Sequence, residues 1–417
     1  CAVEAGHKKR IEDNGFECVM LDYLLDSDKQ ELRVKGLRFI LECVISAFTQ
    51  EREQAFSRRA ADWEKKIAEL SPDRVYLDAQ CALRTALYHK LEIPVVLVET
   101  MPLSLLPFSS CPPFVPPFTS GLIPKQTGIS RLGIRLAWEK IVIARKIRNL
   151  FFSMLLCRQD YFSLYKRLFL ECGFPFEEKI DWRRPFIIGI KESKILSMNP
   201  SSLDFPRKYP PNCQYAPSRV DLNREDPMLN RRYARVMEEV CLQKQQRPDT
   251  KIIYCFSSTV MGFEKRSKII FMKIRDICLR NPQFVFILSV GKYHNTSYLL
   301  PCPSNLYVFQ QVPQLHLLSY CDLMITSGGM NSIAECIEKE VPMLVCPLSL
   351  KSDQLGNSAR VVYHGLGLRA RIKLDSSRTI EKRIVQLFEN YATFKRNLSM
   401  MRTKILAEST AINTEVI

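Results

Sequence analysis

Residues 323–335 read LMITSGGMNSIAE, and this stretch decides the fold. Residues 323–326 have the apolar character of a buried strand, and residues 330–335 begin a helix. Between them, Gly328 and Gly329 let the main chain approach a ligand without a Cβ in the way. The N–H groups and the positive dipole end of the helix would face this turn, which predicts a site for a phosphate. A plain β-to-α turn is the alternative.

The glycine turn is one member of an ordered series of polar and small residues. A Val-Pro-Gln sequence precedes it, a Glu follows within the helix, and an Asp-Gln pair opens the next helix along the chain. The series comprises Gln314, Ser327, Gly328, Gly329, Asn331, Ser332, Glu335, Asp353 and Gln354. In order and spacing it resembles the nucleotide-binding signature of the UDP-glycosyltransferases, a family that includes plant, vertebrate and bacterial macrolide-type enzymes.

The resemblance implies an α/β protein of the GT-B fold, with two Rossmann-like domains whose parallel sheets face a cleft. It implies an inverting enzyme that moves a hexose from a UDP-sugar to a hydroxyl of a lipophilic or natural-product-like acceptor. The UDP-sugar is a co-substrate, so no cofactor is expected. We expect no metal either, because main-chain amides at a helix start can stabilise the leaving diphosphate in its place.

The resemblance also implies a role for each position. Gln314 would bind the uracil edge, and Glu335 would bind the ribose hydroxyls. The diphosphate would be held by Ser327, Gly328, Gly329, Asn331 and Ser332. The hydroxyls of the donor sugar would be bound by Asp353 and Gln354, since carboxylates and amides accept hydrogen bonds from hydroxyls. Ser258, in the turn after an earlier strand, would touch the phosphates, although a simple turn is an equal alternative.

Two positions depart from the family pattern. The family usually has a His where this chain has Ser327 and an aromatic residue where it has Gln311. A Ser in the glycine turn also resembles the related GT-B family that glycosylates lipid-linked cell-wall precursors and diacylglycerol. That activity, or a non-catalytic protein that binds nucleotide sugars, is the alternative to the first function.

Length and composition fit a two-domain globular protein. At 417 residues the chain suits two domains of about 200 residues each. We place an acceptor domain at 1–217, a nucleotide-sugar domain at 218–395 and a C-terminal helix at 396–417. The 15 cysteines include no C-x-x-C pair, which argues against zinc fingers and disulfide frameworks and favours a cytoplasmic protein. No apolar stretch of about 18 residues predicts a membrane-spanning helix.

The formal net charge of +16 requires an anionic partner or a solvated surface. No nucleic-acid-binding module is recognisable, so nucleic acid is not expected as a partner. Much of the excess lies in segment 131–167, where basic and apolar residues alternate with helical spacing. Such a segment can lie on anionic lipid as a peripheral contact, or it can cover the core with its basic residues in water.

The first half of the chain shows a strand-and-helix alternation. It predicts a helix over residues 2–14, strands over 16–22, 74–77 and 94–98, and a helix over 80–91. The proline-rich segment 100–124 would shape an acceptor pocket. The interdomain linker is expected in the latter part of 199–226.

Catalysis requires a general base for the acceptor hydroxyl. In the resembling family a His after the first strand is this base, oriented by an Asp at the end of a later strand. Asp78 matches the orienting Asp, although it could simply cap the following helix. His7 would lie within the predicted first helix, so we expect the first strand and the base to lie upstream of Cys1. The Asp-Ser-Asp sequence at 26–28 is interpreted as a solvated loop.

Overall fold

The structure, a computed structural model, describes residues 2–3, 8–20, 41–42, 45, 50–101, 115–182, 189–207, 212–216, 220–222, 230–256, 264–291, 296–350 and 352–410. The chain divides into two compact units. The first comprises Cys1–Val98 and Glu139–Ile195, and the second comprises Glu99–Trp138 and Leu196–Ile417. The predicted boundary at residue 217 and the separate segment 396–417 stay predictions.

The strands of the first unit are short. They are β1 (Ala2–Val3), β2 (Val19–Met20), β3 (Val75–Asp78), β4 (Val95–Glu99), β5 (Ile180–Asp181) and β6 (Gly189–Ile190). β1 is parallel to β2 and β3 is parallel to β4, whereas β5 and β6 are antiparallel. The parallel β3–β4 pair confirms the βαβ unit expected there, since parallel neighbours need a crossover connection.

Helices supply most of the first unit, and one of them continues from the second. They are α1 (Lys8–Glu12), α2 (Glu51–Leu70), α3 (Thr85–Lys90), α4 (Gly128–Leu155), α5 (Tyr161–Glu171) and α6 (Phe176–Lys179). Helix α2 buries Phe56, Ala60, Trp63 and Ile67, whose spacing of three and four residues places them on one face. Helix α5 begins after Asp160, whose Oδ1 accepts from the N–H groups of the first turn.

The helix predicted over residues 2–14 differs from the structure. Ala2–Val3 is a strand that pairs with Val19–Met20, and only Lys8–Glu12 is helical. A strand therefore precedes this helix within the chain, where we had expected one only upstream of Cys1. His7 lies outside the described residues, as do 26–28 and most of the proline-rich segment.

The second unit is built on a six-stranded sheet. After β7 (Lys194–Ser197) and β8 (Cys213–Tyr215), its strands are β9 (Lys251–Phe256), β10 (Phe284–Ser289), β11 (Leu306–Phe309), β12 (Leu323–Thr326), β13 (Met343–Val345) and β14 (Gly367–Arg369). The order across the sheet is β11-β10-β9-β12-β13-β14, and all neighbours are parallel. This is the strand order of a Rossmann fold.

The helices of the second unit cover both faces of this sheet. They are α7 (Arg231–Gln246), α8 (Glu264–Arg280), α9 (Gln314–Leu318), α10 (Met330–Glu338), α11 (Gln354–Tyr363), α12 (Ser377–Glu389) and α13 (Tyr391–Thr410). The last two helices are separated by one residue, since α12 ends at Glu389 and α13 begins at Tyr391.

Alternate residues of the central strands belong to two separate cores. Ile252 and Tyr254 face one core with residues of α7, α10 and α13, while Ile253 and Cys255 face the other with residues of α8 and α12. Because both faces are covered, the strand sequences are continuous apolar runs such as the buried FVFILS of β10.

Reversal of the strand order at β9 and β12 creates the position at which such sheets bind ligands. The connection after β9 leaves toward one edge of the sheet and the connection after β12 leaves toward the other. The carboxyl ends of these two strands therefore border an open crevice. Residues 327–329 follow β12 directly, so the fold places the glycine turn there.

The segment before α4 packs closely on α11 within the second unit. Phe118 is fully buried, and Trp138 Nε1 donates to the carbonyl oxygen of Val115 over 3.0 Å. A Cβ on Gly356 would lie 2.4 Å from the carbonyl oxygen of Phe118. The absence of a side chain at Gly356 therefore sets the approach of this segment to the helix. Among the helices that the structure describes, none is long and apolar enough to cross a membrane.

We predict that Gly356→Ala lowers the free energy of unfolding by about 1–3 kcal/mol, because the main chain at Phe118 must move to admit the methyl group. Urea denaturation measures the change. Gly133→Ala is the control, since nothing lies within 4 Å of a Cβ there. That helical position should gain roughly 0.5–1 kcal/mol from the same substitution. Equal effects of the two changes would contradict the tight approach at Gly356.

Candidate functional site

The glycine turn after β12 needs glycine for two reasons. Gly328 has φ +88°, a conformation that residues with a side chain rarely adopt, and a Cβ there would lie 2.7 Å from Val345 Cγ1. Its N–H donates to Thr326 Oγ1 over 3.2 Å, and its carbonyl oxygen accepts from Asn357 Nδ2 over 2.9 Å. Gly328 therefore shapes the turn, and its own amide is already engaged.

Helix α10 begins at this turn. Gly329 is its N-cap and has no side chain to cap it, so the first-turn N–H groups of Met330, Asn331 and Ser332 are directed toward the crevice. The Ser327 and Ser332 side chains are buried beside them, whereas Asn331 is exposed. The arrangement places main-chain donors, hydroxyl groups and the positive end of the helix dipole together, which suits an anion.

The side chain of Gln314 lies among three polar groups. Its Oε1 accepts from the hydroxyl of Tyr254 over 3.0 Å, and its Nε2 donates to Glu335 Oε2 over 2.8 Å and to Ser332 Oγ over 3.4 Å. Glu335 is buried, with 5% of its surface exposed. The structure thus brings Gln314, Ser332 and Glu335 together, and the amide of Gln314 holds the carboxylate of Glu335 in place.

Asp353 and Gln354 begin helix α11 on the other side of the glycine turn. Gln354 Oε1 accepts from the N–H groups of Leu348 and Ser349 over 2.9 and 2.8 Å, which fixes the loop after β13. Asp353 Oδ2 accepts from Asn357 Nδ2 over 2.8 Å. Burial raises the pKa of the Asp353 carboxyl, although hydrogen bonds from Asn357 and the main chain oppose this effect.

Asn357 was not predicted from the sequence, yet it joins the two halves of the site. Its Nδ2 donates both to the carbonyl oxygen of Gly328 and to the carboxylate of Asp353. The residue is almost fully buried, and its position four residues after Asp353 on the helix was the signal that could have identified it. Tyr254, which orients Gln314, was also missed because a tyrosine in an apolar strand is indistinguishable from a core residue.

Helix α11 is anchored by a buried ion pair. Arg360 Nε donates to Asp204 Oδ1 over 3.0 Å, Arg207 binds the other carboxylate oxygen, and the guanidinium of Arg360 lies 4.6 Å from the ring centroid of Phe205. Burial alone would raise the pKa of Asp204, but the charges of Arg360 and Arg207 hold this pKa below its ordinary value. These contacts fix the helix that carries Asp353.

The other two predicted site residues, Asp78 and Ser258, are not among the residues that the structure places around the glycine turn. Asp78 ends β3, is exposed, and its Oδ1 accepts from the N–H of Gln80 over 2.8 Å, so the capping role is present. Its catalytic role stays a prediction. Ser258 lies outside the described residues. His316 Nδ1 lies 2.9 Å from the hydroxyl oxygen of Tyr233. His364 Nε2 lies 3.1 Å from the carbonyl oxygens of Leu203 and Asp204, so both histidines are engaged within the protein.

Comparison with known proteins agrees with this geometry. Residues 295–407 match the family model described as UDP-glucoronosyl and UDP-glucosyl transferase. The matched range contains every predicted site residue other than Asp78 and Ser258.

Two curated relatives each match about a quarter of the chain. One is the NDP-glycosyltransferase YjiC of Bacillus subtilis (strain 168), 37% identical over 98 residues that make up 24% of each chain. The other is the zeaxanthin glucosyltransferase of Pantoea ananas, 34% identical over 101 residues, or 24% of this chain and 22% of the relative. The chain therefore matches about a quarter of the length of these relatives.

The similarity in fold extends over the whole chain. The solved structure of the glycotransferase of kitacinnamycin covers 98% of this chain, and the chain covers 87% of it, with a TM-score of 0.61 and 17% sequence identity. At this identity the likeness shows the fold, which is the predicted GT-B fold of Rossmann-like units. In segment 295–407 the chain is similar to the UDP-glycosyltransferases.

Proposed function

We propose that the protein is an inverting glycosyltransferase that moves a hexose from a UDP-sugar to a hydroxyl of a lipophilic or natural-product-like acceptor. This proposal rests on one observation: Glu335, the start of α10 and the pair Asp353 and Gln354 all lie around the same glycine turn. Glu335 is held beside the turn by Gln314, and Asp353 is joined to it through Asn357. The name of the zeaxanthin glucosyltransferase supports a natural-product acceptor.

In the proposed reaction, the acceptor oxygen forms a bond to the anomeric carbon as the bond from that carbon to the diphosphate oxygen breaks. UDP leaves with the electron pair, and the N–H groups at the start of α10 stabilise its charge without reorganisation. The acceptor proton passes to a general base, which Asp78 would orient. The buried Glu335 would bind the ribose hydroxyls, and Asp353 with the Nε2 of Gln354 would bind the sugar hydroxyls.

Several finer points belong to the same proposal. The protein would use no metal ion and no nucleic-acid partner, and it would be cytoplasmic with peripheral membrane contact through 131–167. Glycosylation of a membrane lipid or a lipid-linked cell-wall precursor is the second candidate. It is favoured by Ser327 in the turn and by a relative named as an N-acetylglucosamine transferase acting on a pyrophosphoryl-undecaprenol, 30% identical over 91 residues.

Calorimetric titration with UDP, UDP-sugars and GDP-sugars tests the proposal. We expect UDP and a UDP-sugar to bind and the GDP-sugar to bind more weakly. Glu389→Ala, an exposed glutamate at the end of α12, should bind like the wild type. Failure of every nucleotide to bind at millimolar concentration would refute the function. Binding without transfer to any acceptor would instead indicate a non-catalytic protein.

The contacts of Gln314 predict that it acts on the nucleotide through Glu335. Gln314→Ala and Glu335→Ala should each weaken UDP binding by about 1–3 kcal/mol, because a buried carboxylate loses its orientation or its hydrogen bonds. The double variant should lose less UDP-binding free energy than the sum of the losses in the two single variants. Gln386→Ala, an exposed glutamine on α12, is the control.

The same variants test the predicted contact of Gln314 with the uracil edge. If Gln314 acts through Glu335, then Gln314→Ala should weaken uridine and thymidine diphosphates alike. A selective loss of preference for uridine would support direct contact with the base and contradict the orienting role.

The sugar-binding role of Asp353 predicts a pH effect. An ionised carboxylate accepts from sugar hydroxyls, so the affinity advantage of a UDP-sugar over UDP should fall as the pH falls through the raised pKa of Asp353. Asp353→Asn keeps an acceptor for Asn357 but does not titrate, so its advantage should be smaller and should change with pH only through the terminal phosphate of UDP, a contribution that the wild type shares. Calorimetry across the acidic range measures both. An equal loss of UDP affinity in the variant would exclude the sugar-binding role.

A further inference from the structure

Helix α4 exposes an unusual number of large apolar side chains. Each is at least 55% exposed, and Ile129 reaches 87%. These side chains, named here the α4 stripe, are Ile129, Leu132, Leu136, Ile143, Ile147, Leu150, Phe151 and Met154. Isolated exposed apolar residues are normal on a protein surface, but a row of eight on one helix indicates an interaction surface.

The positions of these residues place them on one face. At about 100° per residue they fall within an arc of roughly 100°, and at about 1.5 Å per residue the row is some 38 Å long. The opposite face of the helix packs inward through Ile134, Arg145 and Phe152, all buried. Arg145 donates to the carbonyl oxygen of Trp182 over 2.7 Å. The α4 stripe is therefore a second apolar face, distinct from the one that fills the core.

Positive charge lies along one side of the α4 stripe and, at Lys140, within its arc. Arg135, Lys140 and Lys146 are exposed, and Glu139 is the one acidic residue in the sequence of the helix. Within the described part of the chain, no ion pair engages these three cations. The helix thus offers apolar side chains and uncompensated cations to the same partner.

We infer that the α4 stripe is a docking surface for a bilayer that contains anionic lipid, with the helix lying in the plane of the interface. The bilayer provides an acyl region for the apolar side chains and lipid phosphate groups for the cations of the helix. A second copy of the chain is a poorer occupant, because pairing two stripes would bring like cations together. The charge pattern therefore decides between the two.

This inference rests on one part of the proposed function, the peripheral membrane contact through 131–167, and it does not depend on sugar transfer, since no nucleotide takes part in docking. It also specifies the contact more closely than segment 131–167 as a whole. Helix α5 contributes to that segment but buries Leu164, Tyr165, Leu168 and Phe169.

Vesicle sedimentation of the whole protein without nucleotide is the test. We expect the protein to sediment with vesicles of phosphatidylcholine and phosphatidylglycerol, to remain largely in solution with phosphatidylcholine alone, and to be released by high salt, which screens the cations. Absence of sedimentation with the anionic vesicles, or equal sedimentation with both, would overturn the inference.

Variants of the apolar side chains locate the surface. Ile143→Ser, Ile147→Ser and Leu150→Ser combined should weaken sedimentation roughly a hundredfold, because three half-inserted side chains lose their burial. The control combines Leu279→Ser, Leu374→Ser and Leu406→Ser, which are exposed by 53% to 73% and lie elsewhere. Equal weakening by the two triple variants would show that the α4 stripe is not the contact.

Variants of the cations provide an independent test that leaves the apolar face intact. Arg135→Gln, Lys140→Gln and Lys146→Gln combined should weaken binding to anionic vesicles about a hundredfold, at roughly fivefold for each cation. Lys382→Gln, Arg396→Gln and Lys404→Gln remove the same charge from exposed positions elsewhere and should have little effect. A wild type that dimerises in analytical ultracentrifugation, and dissociates in the serine triple variant of α4, would assign the stripe to a second copy and overturn the lipid assignment.

Discussion

The pairing of β9 with β12 is the constraint on which the rest of the second unit depends. It brings Ile253 beside Leu323 and Cys255 beside Ile325, and it separates the β10–β11 half of the sheet from the β13–β14 half. Connections leave these two strands in opposite directions, so nothing in the sheet covers the crevice at their carboxyl ends. The glycine turn, the start of α10 and the residues around them occupy this place because of the topology alone.

Around that crevice, side-chain hydrogen bonds hold the residues of the candidate site in fixed positions. One path runs from the buried hydroxyl of Tyr254 through Gln314 to Glu335. The other runs from the carbonyl oxygen of Gly328 through Asn357 to Asp353. Both paths end on a carboxylate, and both begin in rigid parts of the sheet or its turns. Carboxylates held in this way are positioned before a ligand arrives, which reduces the entropy lost on binding.

The sequence predicted the fold of the second unit and the place of the glycine turn, around which the members of the candidate site lie, because the signals there are local. An apolar strand, Gly328 and the start of a helix are adjacent in the chain, and their backbone geometry follows from the residue types. The contacts among the members were not predictable in the same way. Tyr254 and Gln314 are 60 residues apart, and Asn357 and Gly328 are 29 apart, so their hydrogen bonds depend on tertiary packing.

The helices of the first half show a different limit. Helix α4 has two apolar faces, and periodicity alone does not show which of them meets the core; the structure assigns that role to Ile134 and Phe152. Residues 2–14 have helical periodicity, yet Ala2–Val3 is a strand because its main chain pairs with Val19–Met20. In both cases the local structure is determined by contacts with residues that are distant in sequence.

The distance between β9 and β12 along the chain also bears on biosynthesis. Ile252 donates its N–H to Asp322, 70 residues later, over 2.8 Å. On the ribosome, a nascent chain that has completed β9, β10 and β11 still has one edge of β9 without its partner strand, and such edges are prone to wrong pairing. Closing a loop of this length lowers the entropy of the chain, and the contacts between β9 and β12 offset that cost only after they have formed. Strand β9, which borders the crevice in the completed sheet, is thus an exposed edge strand during synthesis.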